Sequence, residues 1–499
     1  IVALGLRIWG TNFGLPLLFH PDEQLILRRV INNFLNGNLN PEWFEYPSLF
    51  MYLIFIPIKL SFSFGQTNLV NAFLIARWCS AIFGAATVIL IYYTGKKIFN
   101  EKVGWLAAIF TCFLSIHIEH SHYATVDVTL GFLMILAIYF LALAEETKRL
   151  RYIYIAAFIT GLAGSVKYTG VFVILPIIGW VVWQDYSKGQ ISKNTVRILF
   201  YVVALTGVAF IIGTPYSILD MRSFLRGVYI QSKHSKEGHF GAESTDIFYL
   251  IFNEDDRNSL WGTTDVVTFG LNLLGVGYGL WRSIKHRRFM DVSVTLLIIG
   301  SYLFLTGWKT KFVRWLIPFM PISLIWGSEF IEKLLSRVYI KPIKIFLVTI
   351  ILIIPIVSSF REAQAFSTTD TRTLATDWVK TNIIKGSNLC LDKNTIYVDG
   401  KYGSLKTLEI EPEEAGPYLI TLNPTNINEC DYVANSSYFK MQFYKKETIK
   451  LRPEEAEIGQ RFYKSLEKEG KLLQQFSPSD GKYVGPEIKI YQVQKKSKN

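Results

Sequence analysis

The sequence predicts an all-α polytopic membrane domain of about eleven transmembrane helices, followed by a C-terminal extracytoplasmic α/β domain. Half of the 499 residues are hydrophobic and only 18% are charged, and the mean hydropathy is +0.27, which argues against a wholly soluble protein. Apolar segments long enough to cross a bilayer core of about 30 Å recur through residues 1–362. From 363 to 499 the composition becomes charged and mixed.

The predicted spans lie at 1–18, 73–95, 103–117, 127–145, 152–166, 169–184, 196–214, 264–282, 292–308, 314–332 and 343–360. Because the chain begins at Ile1 rather than Met, we interpret the first span as truncated. The apolar stretch from 152 to 184 is too long for one ordinary span, and the placement of basic residues favours two spans that meet near Lys167.

Basic residues cluster in short connections at 96–102, 148–151, 188–193, 282–288 and 333–341. Cytoplasmic connections characteristically carry such residues, so this pattern explains the net charge of +12 and excludes nucleic acid as a partner. The N-terminus is then inside, and the loops at 19–72 and 215–263, the turn at 309–314 and the tail are outside. The sequence therefore predicts a multi-pass cell-membrane protein with an extracytoplasmic site and tail.

The tail from 363 to 499 has the mixed patterning of a small α/β domain. An amphipathic stretch covers 371–381, a β-rich run covers 418–422, and a second helix is predicted over 454–468. Cys390 and Cys430 have no zinc-ribbon or CxxC spacing. They can form a disulfide if the tail is extracytoplasmic.

The first outer loop opens with His20-Pro21-Asp22-Glu23. Proline disfavours helix at the residue before it and is well suited to the first helical position, so a new helix is predicted to begin at Pro21. Asp22 and Glu23 then lie in its first turn, where the amide dipoles favour anions. An ordinary acidic helix end and a catalytic carboxylate are both open interpretations.

A third acid, Asp127, opens the fourth apolar segment and follows a histidine-rich turn. An acid there is either a helix cap or an intramembrane functional group. Glu119, His120 and His122 offer oxygen and nitrogen donors at short range, so a divalent metal is a candidate cofactor, although the HExxH spacing is absent. No other cofactor is predicted.

Cations also occur on the outer face, where the positive-inside rule makes them scarce. They are Arg77, Lys167, Lys309, Lys311 and Arg314. Ammonium and guanidinium groups bind phosphate well, so these residues are candidate phosphate ligands, with snorkelling toward lipid headgroups as the alternative. The long loop around His239 is either a lid or disordered.

In their order and placement these motifs resemble the GT-C membrane glycosyltransferases, in particular the phospholipid-carrier-dependent branch of protein mannosyltransferases and aminoarabinose transferases. The resemblance extends over the whole membrane part. It rests on His20-Pro21-Asp22-Glu23, Glu45-Tyr46-Pro47-Ser48-Leu49, His120-Ser121-His122 with Asp127, Gly164-Ser165-Val166-Lys167, and Arg314-Trp315-Leu316-Ile317-Pro318 with Pro321.

The resemblance implies inverting transfer of a sugar from a polyprenyl-phosphate donor to a hydroxyl of a lipid, glycan or protein acceptor. It implies that Asp22, rather than Glu23, is the base. Cations would stabilise the departing lipid phosphate, and acceptor or lid roles would fall to Tyr46, Tyr168 and His239. The tail differs from the repeat module of eukaryotic protein mannosyltransferases, which makes a protein acceptor doubtful.

Two other functions remain as alternatives. A lipid or sugar transporter or flippase would explain the many helices and the intramembrane charges, but no inverted repeat is evident. An oligosaccharyltransferase would carry a WWD-type acceptor reader, and the tail contains no such sequence.

Overall fold

The computed structural model describes residues 1–65, 68–186, 192–253, 258–384, 386–392, 395–396, 418–421, 430–479 and 482–493. The predicted basic connection at 188–193 lies mostly outside these residues. The described chain forms a helical membrane part and a smaller α/β tail, as predicted. Six described helices are long and apolar enough to cross a membrane, or seven if one bent pair is a single span. The predicted count of about eleven therefore stays a prediction.

The membrane part contains seventeen α-helices among the described residues. In chain order these are α1 (Val2–Ile8), α2 (Pro21–Arg29), α3 (Leu49–Ser63), α4 (Leu69–Ile98), α5 (Glu101–Cys112), α6 (Ser115–Ser121), α7 (Val126–Thr147), α8 (Leu150–Val166), α9 (Ile174–Tyr186), α10 (Lys193–Gly213), α11 (Tyr216–Leu219), α12 (Met221–Glu237), α13 (Leu260–Thr263), α14 (Val266–His286), α15 (Phe289–Thr306), α16 (Met320–Ser336) and α17 (Lys341–Ser367). Short 3-10 helices at Tyr168–Val173 and Val313–Leu316 and a π-helix at Val30–Phe34 join some of them.

The first predicted span is wrong in its extent. Helix α1 ends at Ile8, and turns follow up to Pro16 instead of a continuous helix over 1–18. Gly10 and Gly14 adopt φ values of +87° and +67° there, a conformation that breaks a right-handed helix. The chain at 9–16 therefore exposes backbone carbonyls to its neighbours in the bundle.

Two further differences concern the segments near the site. Helix α3 was not predicted, because its apolar run is only 15 residues long and contains Pro57 and Lys59, which weaken a span signal. The predicted single span at 103–117 is the bent pair α5 and α6, with an angle of 59° between them. The division of 152–184 into two helices at Lys167 is confirmed, since Lys167 is extended between α8 and the 3-10 helix.

Small residues allow the helices of the bundle to approach closely. A Cβ added at Gly161 of α8 would collide with the Thr206 carbonyl oxygen of α10, and one at Gly275 of α14 would collide with the Ser323 carbonyl oxygen of α16. Close backbone contact of this kind is how membrane helices gain van der Waals packing. Helix α8 therefore packs closely against α10, and α14 packs closely against α16.

The tail contains α18 (Thr371–Asn382), α19 (Ser437–Lys440), α20 (Lys446–Leu451), α21 (Pro453–Glu469) and a 3-10 helix at Met441–Tyr444. Its strands are β1 (Thr369–Asp370), β2 (Asn388–Leu391), β3 (Tyr418–Thr421), β4 (Tyr432–Ser436), β5 (Lys471–Phe476), β6 (Tyr483–Val484) and β7 (Ile488–Gln492). The main sheet has the order β3-β2-β4-β7-β5. Strand β2 is parallel to β3 and β4, whereas β7 is antiparallel to β4 and β5.

The three elements predicted in the tail correspond to α18, β3 and α21. Cys390 on β2 and Cys430 before β4 form a disulfide. This pairing is the one that the sequence allows if the tail is extracytoplasmic. The predicted domain boundary after residue 362 falls inside α17, which continues to Ser367.

The tail contacts the loop that follows α12. Arg452 pairs with Glu243 at 2.7 Å, Lys445 donates to the Gly241 carbonyl at 2.8 Å, and the Phe443 ring lies 4.8 Å from that of Phe240. Backbone hydrogen bonds join the same loop to 309–311 of the membrane part. The tail therefore covers the end of the bundle where α2 and the Val313–Leu316 turn lie.

Candidate active site

Asp22 lies in the first turn of α2, as the sequence predicts, with Pro21 at the first helical position. The His20 ring caps the helix, because its Nδ1 accepts the backbone N–H of Asp22 at 3.2 Å. One carboxylate oxygen, Oδ2, contacts the Arg314 guanidinium at 3.1 Å and accepts the Tyr46 hydroxyl at 3.0 Å. The side chains of Asp22 and Arg314 are 14% and 16% exposed, so part of each side chain is accessible from outside.

The surroundings of Asp22 keep it ionised. Burial alone would raise the pKa of this carboxyl, but Arg314, His20, the Tyr46 hydroxyl and Lys167 together hold the pKa below its usual range. The same neighbours and burial act on Tyr46, whose pKa is raised well above its ordinary value, first by desolvation and then by Asp22. Asp22 is therefore an acceptor and Tyr46 a donor at neutral pH.

Glu23 has a different environment from its neighbour. Its two oxygens accept two bonds from Arg77 at 2.8 and 2.9 Å, and Oε1 also accepts the Ala124 backbone N–H at 2.8 Å. Both side chains of the ion pair are 0% exposed. The structure thus places Glu23 and Arg77, both predicted site residues, behind Asp22 in a closed pair.

Arg77 also compensates the broken first helix. Its Nη1 donates to the carbonyls of Thr11 and Phe13 at 2.7 and 2.9 Å, and its guanidinium lies 3.9 Å from the centroid of the Phe13 ring. All the hydrogen bonds that these atoms make are internal. A buried guanidinium whose hydrogen bonds are all internal is suited to stabilising the fold rather than to binding a phosphate.

Lys167 and Asp127 form a second charged pair beside the first. The Lys167 Nζ donates to Asp127 Oδ1 at 2.6 Å, and Asp127 and Lys167 are 1% and 11% exposed. The ammonium lies 6.0 Å from the Tyr46 ring and 5.9 Å from the Trp315 ring. The break at Lys167 therefore directs this side chain toward the residues that surround Asp22.

Three buried polar atoms of this region have no hydrogen-bond partner among the described residues. They are Asp127 Oδ2, Arg314 Nε and His120 Nδ1. Buried polar atoms are normally satisfied, and exceptions often mark a place where a ligand or water binds. These three atoms and the partly accessible Asp22 are therefore available to contact a bound polar group.

The remaining predicted cations are arranged differently. Lys311 is 0% exposed and donates to the carbonyls of Thr306 and Trp308 at 2.6 and 3.0 Å. Its ammonium group is therefore hydrogen-bonded within the turn. Lys309 is exposed. Of the predicted phosphate ligands, the structure brings Arg314 and Lys167 next to Asp22.

The predicted lid and acceptor residues lie around these groups. The exposed His239 ring packs 5.5 Å from Phe312, and Phe312 lies 4.7 Å from the Arg314 guanidinium. The Tyr168 hydroxyl donates to the Phe44 carbonyl at 2.7 Å, which fixes the loop before Tyr46. His239 therefore borders the site, and Tyr168 supports it from behind.

The predicted metal ligands do not assemble. Within the described ranges no group of three or more His, Cys, Asp or Glu side chains is placed to hold a metal ion. Both ring nitrogens of His122 lie 2.9 Å from backbone carbonyls, those of Ile118 and Trp9. Successive residues of α6 point in different directions, so Glu119, His120 and His122 do not converge.

Some residues of the site carry no functional signal in the sequence. Asn258 accepts the Val313 backbone N–H at 2.8 Å and donates to the Lys311 carbonyl, which fixes the turn that presents Arg314. Tyr438 of the tail is near enough to Arg314 to affect its electrostatic environment. His20, next to Pro21-Asp22, is the exception, because a polar residue before a helix-starting proline is a recognisable cap signal.

Comparisons with known proteins add to this geometry. Residues 58–212 match the family model described as dolichyl-phosphate-mannose-protein mannosyltransferase. The structure is similar to ArnT from Cupriavidus metallidurans bound to undecaprenyl phosphate, with a TM-score of 0.54 and 12% identity over 98% of this chain and 97% of that one. The chain has the GT-C fold.

A second structure of the GT-C fold is also similar. It is the archaeal oligosaccharyltransferase AglB from Archaeoglobus fulgidus in complex with an inhibitory peptide and a dolichol-phosphate, with a TM-score of 0.55 and 12% identity over 89% of this chain and 69% of that one. Comparison with curated protein sequences gives no significant match. The resemblance to the GT-C superfamily that the motifs indicated is confirmed. The range matched by the family model contains Arg77, Asp127 and Lys167, whereas Asp22 and Arg314 lie outside it.

Proposed function

We propose that the chain is an inverting glycosyltransferase that moves a sugar from a polyprenyl-phosphate donor to a hydroxyl of a lipid, glycan or protein acceptor. The observation that carries this proposal is the open pair of Asp22 with Arg314, 3.1 Å apart, beside Lys167 in a GT-C fold. A carboxylate next to two cations suits a reaction in which a hydroxyl loses a proton and a phosphate departs.

In this reaction Asp22 is the general base. The acceptor hydroxyl gives its proton to the Asp22 carboxylate while its oxygen bonds to the anomeric carbon of the sugar. The bond from that carbon to the phosphate oxygen breaks at the same time, and the electron pair leaves with the lipid phosphate. Attack from the face opposite the leaving group inverts the anomeric configuration. Tyr46 orients Asp22 through its hydroxyl, which donates to Oδ2 at 3.0 Å.

Arg314 and Lys167 bind the donor phosphate. Arg314 has a buried Nε without a partner among the described residues. Lys167 lies at the break after α8, and its ammonium is near the Tyr46 ring. A bound phosphate competes with Asp22 for Arg314 and so weakens the interaction that lowers the pKa of Asp22. Donor binding therefore makes Asp22 a stronger base at the moment when a base is needed.

The donor class is supported by the structural relatives. ArnT is described with undecaprenyl phosphate and AglB with a dolichol-phosphate, both of which are polyprenyl phosphates. Arginine and lysine are common phosphate ligands, so Arg314 and Lys167 beside Asp22 are suited to such a headgroup.

An extracytoplasmic position for the site is supported by the tail. The tail contains the Cys390 to Cys430 disulfide, and disulfides persist mainly in oxidising compartments. It contacts the site end of the bundle, where Arg372 lies 3.8 Å from the centroid of the Phe19 ring. These contacts support a position of the site on the same side as the disulfide, which is also what the positive-inside rule predicts.

The test is the variant Asp22→Asn, with Glu42→Gln as the matched control on an exposed acid of the same loop. Cells that make the wild-type chain or either variant are compared by mass spectrometry of their lipid, glycan and protein fractions. We expect a sugar of defined mass with the wild type and the control, reduced by roughly 100-fold or more with Asp22→Asn. A wild-type amount of product from a folded Asp22→Asn protein would refute the proposed base.

A further inference from the structure

A cavity of about 390 Å³ lies at the other end of the bundle from Asp22. We call it the basal cavity, and its lining includes Phe99, Arg282, His286, Arg288, Glu329 and Lys333. Phe99 directly follows α4, and it is 22 residues beyond Arg77 of the same helix, or about 33 Å along the helix axis. The basal cavity is therefore separate from the proposed active site.

The basal cavity has an excess of positive charge. Arg282, Arg288 and Lys333 line it as permanent cations, against one carboxylate, Glu329. Arg282 is 4% exposed in its side chain, and its Nε donates to both oxygens of Asp291 at 3.1 Å. With Asp291 included, three cations face two acids, and a single negative charge would balance the group.

The buried arginine is held in a fixed position. Its Nη1 lies 3.4 Å from Glu329, and its guanidinium is 4.8 Å from the centroid of the Phe99 ring. Asp291 is fixed in turn because it accepts the Trp326 indole N–H at 2.9 Å. The network is rigid on the bundle side, whereas Lys333, 47% exposed, lies at the mouth.

The mouth of the cavity borders surface that suits lipid. Ile284 and Leu334, which neighbour the lining residues in the chain, are 69% and 49% exposed. Trp281 is 45% exposed and stacks on Tyr278 with ring centroids 5.4 Å apart. Exposed aliphatic residues with a tryptophan at a helix end are typical of the interface between acyl chains and headgroups.

We propose that the basal cavity binds the phosphate of an anionic phospholipid headgroup in the adjoining leaflet. It lies where three connections predicted to be cytoplasmic meet, those at 96–102, 282–288 and 333–341. Basic pockets between transmembrane helices on that side recognise such headgroups. Basic side chains that merely snorkel would line an open surface, whereas here a cavity with a buried arginine is present.

The test compares phosphatidylglycerol with phosphatidylcholine in binding to the full chain purified in detergent, measured by native mass spectrometry and by thermal unfolding. The variant is Arg288→Gln with Lys333→Gln. The matched control is Lys285→Gln with Arg287→Gln, which removes two exposed charges of the same face that are not part of the lining.

We expect the wild type and the control to retain phosphatidylglycerol and gain thermal stability from it, and the cavity variant to bind it roughly 30-fold more weakly. Glu329→Gln removes the opposing charge and should strengthen binding. Equal loss in both double variants would refute the cavity as the site. Equal stabilisation by inorganic phosphate, with no preference between the lipids, would refute a lipid ligand. Sugar transfer by the cavity variant stays unchanged, so this outcome is independent of the proposed function.

Discussion

Asp22 and Glu23 are adjacent in the chain and each pairs with an arginine, yet their environments differ. Glu23 and Arg77 are completely buried, and their polar atoms are engaged by each other and by backbone groups. Asp22 and Arg314 are 14% and 16% exposed and leave Arg314 Nε unpartnered among the described residues. The difference teaches that the accessibility of a charged pair, rather than its charge, separates a structural role from a chemical one.

The largest effect should come from breaking the closed pair. Glu23→Gln leaves the Arg77 guanidinium buried without its counter-ion, which costs about 3–5 kcal/mol of stability. We expect a large fall in the midpoint of thermal unfolding in detergent, whereas Asp22→Asn changes that midpoint little. A Glu23→Gln protein as stable as the wild type would show that the pair does not hold the bundle together.

Breaking the open pair should affect the reaction instead. Arg314→Gln removes a proposed ligand of the donor phosphate, and we expect kcat/KM for the proposed lipid donor to fall by roughly 100-fold with a folded protein. Arg314→Lys keeps the charge but loses the planar two-pronged donor, so it should recover only part of the activity. The matched control is Lys309→Gln, an exposed cation of the same turn, and an equal loss there would contradict the assignment to Arg314.

A third carboxylate sharpens the comparison because, among the described residues, no cation pairs with it. Asp392 in the tail accepts from the Ser436 backbone N–H at 3.0 Å and from the Tyr463 hydroxyl at 3.1 Å, and burial raises its pKa to about 7. Because the folded pKa lies above the unfolded one, its stabilising contribution is complete below about pH 4 and is lost as the pH rises through 7.

We therefore expect the stability of the tail to fall by on the order of 1 kcal/mol per pH unit between pH 4 and 7 through this group. The measurement is chemical unfolding of the full chain, monitored with a probe in the tail. The variant Asp392→Asn lacks the titrating carboxyl. An unchanged pH dependence in Asp392→Asn would show that the carboxyl does not titrate in this range.

The smallest effect concerns Tyr46. Tyr46→Phe removes one hydrogen bond to Asp22, worth about 1 kcal/mol, so transfer should slow by roughly fivefold. The hydroxyl lowers the pKa of Asp22, so its removal raises that pKa, and the acid limb of the pH–rate profile should move to higher pH. An acid limb at the wild-type position would indicate that Tyr46 does not act through Asp22.

The sequence predicts the local features of the site well and the pairings poorly. Pro21 marks the start of α2, and Lys167 marks a break between two helices, because both signals reside within a few residues. Arg314 and Asp22 are far apart in the chain, and only tertiary packing joins them. For the same reason the sequence assigned Arg77 to the donor phosphate, since Glu23 and the carbonyls of 11–13 that engage it are remote.

The helices of the fold also differ in how well the sequence predicts them. Long apolar helices such as α4, α7 and α10 are evident from composition, whereas α3 is too short and too interrupted to be recognised. The early end of α1 depends on two glycines with positive φ, a conformation that glycine permits but does not require.

The interrupted first helix has a consequence for biosynthesis. Arg77 enters the membrane within α4, and a lone guanidinium there is costly until it is neutralised. Its partners, the carbonyls of Thr11 and Phe13 and the carboxylate of Glu23, all emerge from the ribosome before it. We therefore expect the insertion of α4 to depend on this preceding segment, because it supplies the partners of Arg77. Because Arg77 pairs with Glu23, the same contacts also fix the first turn of α2 that carries Asp22.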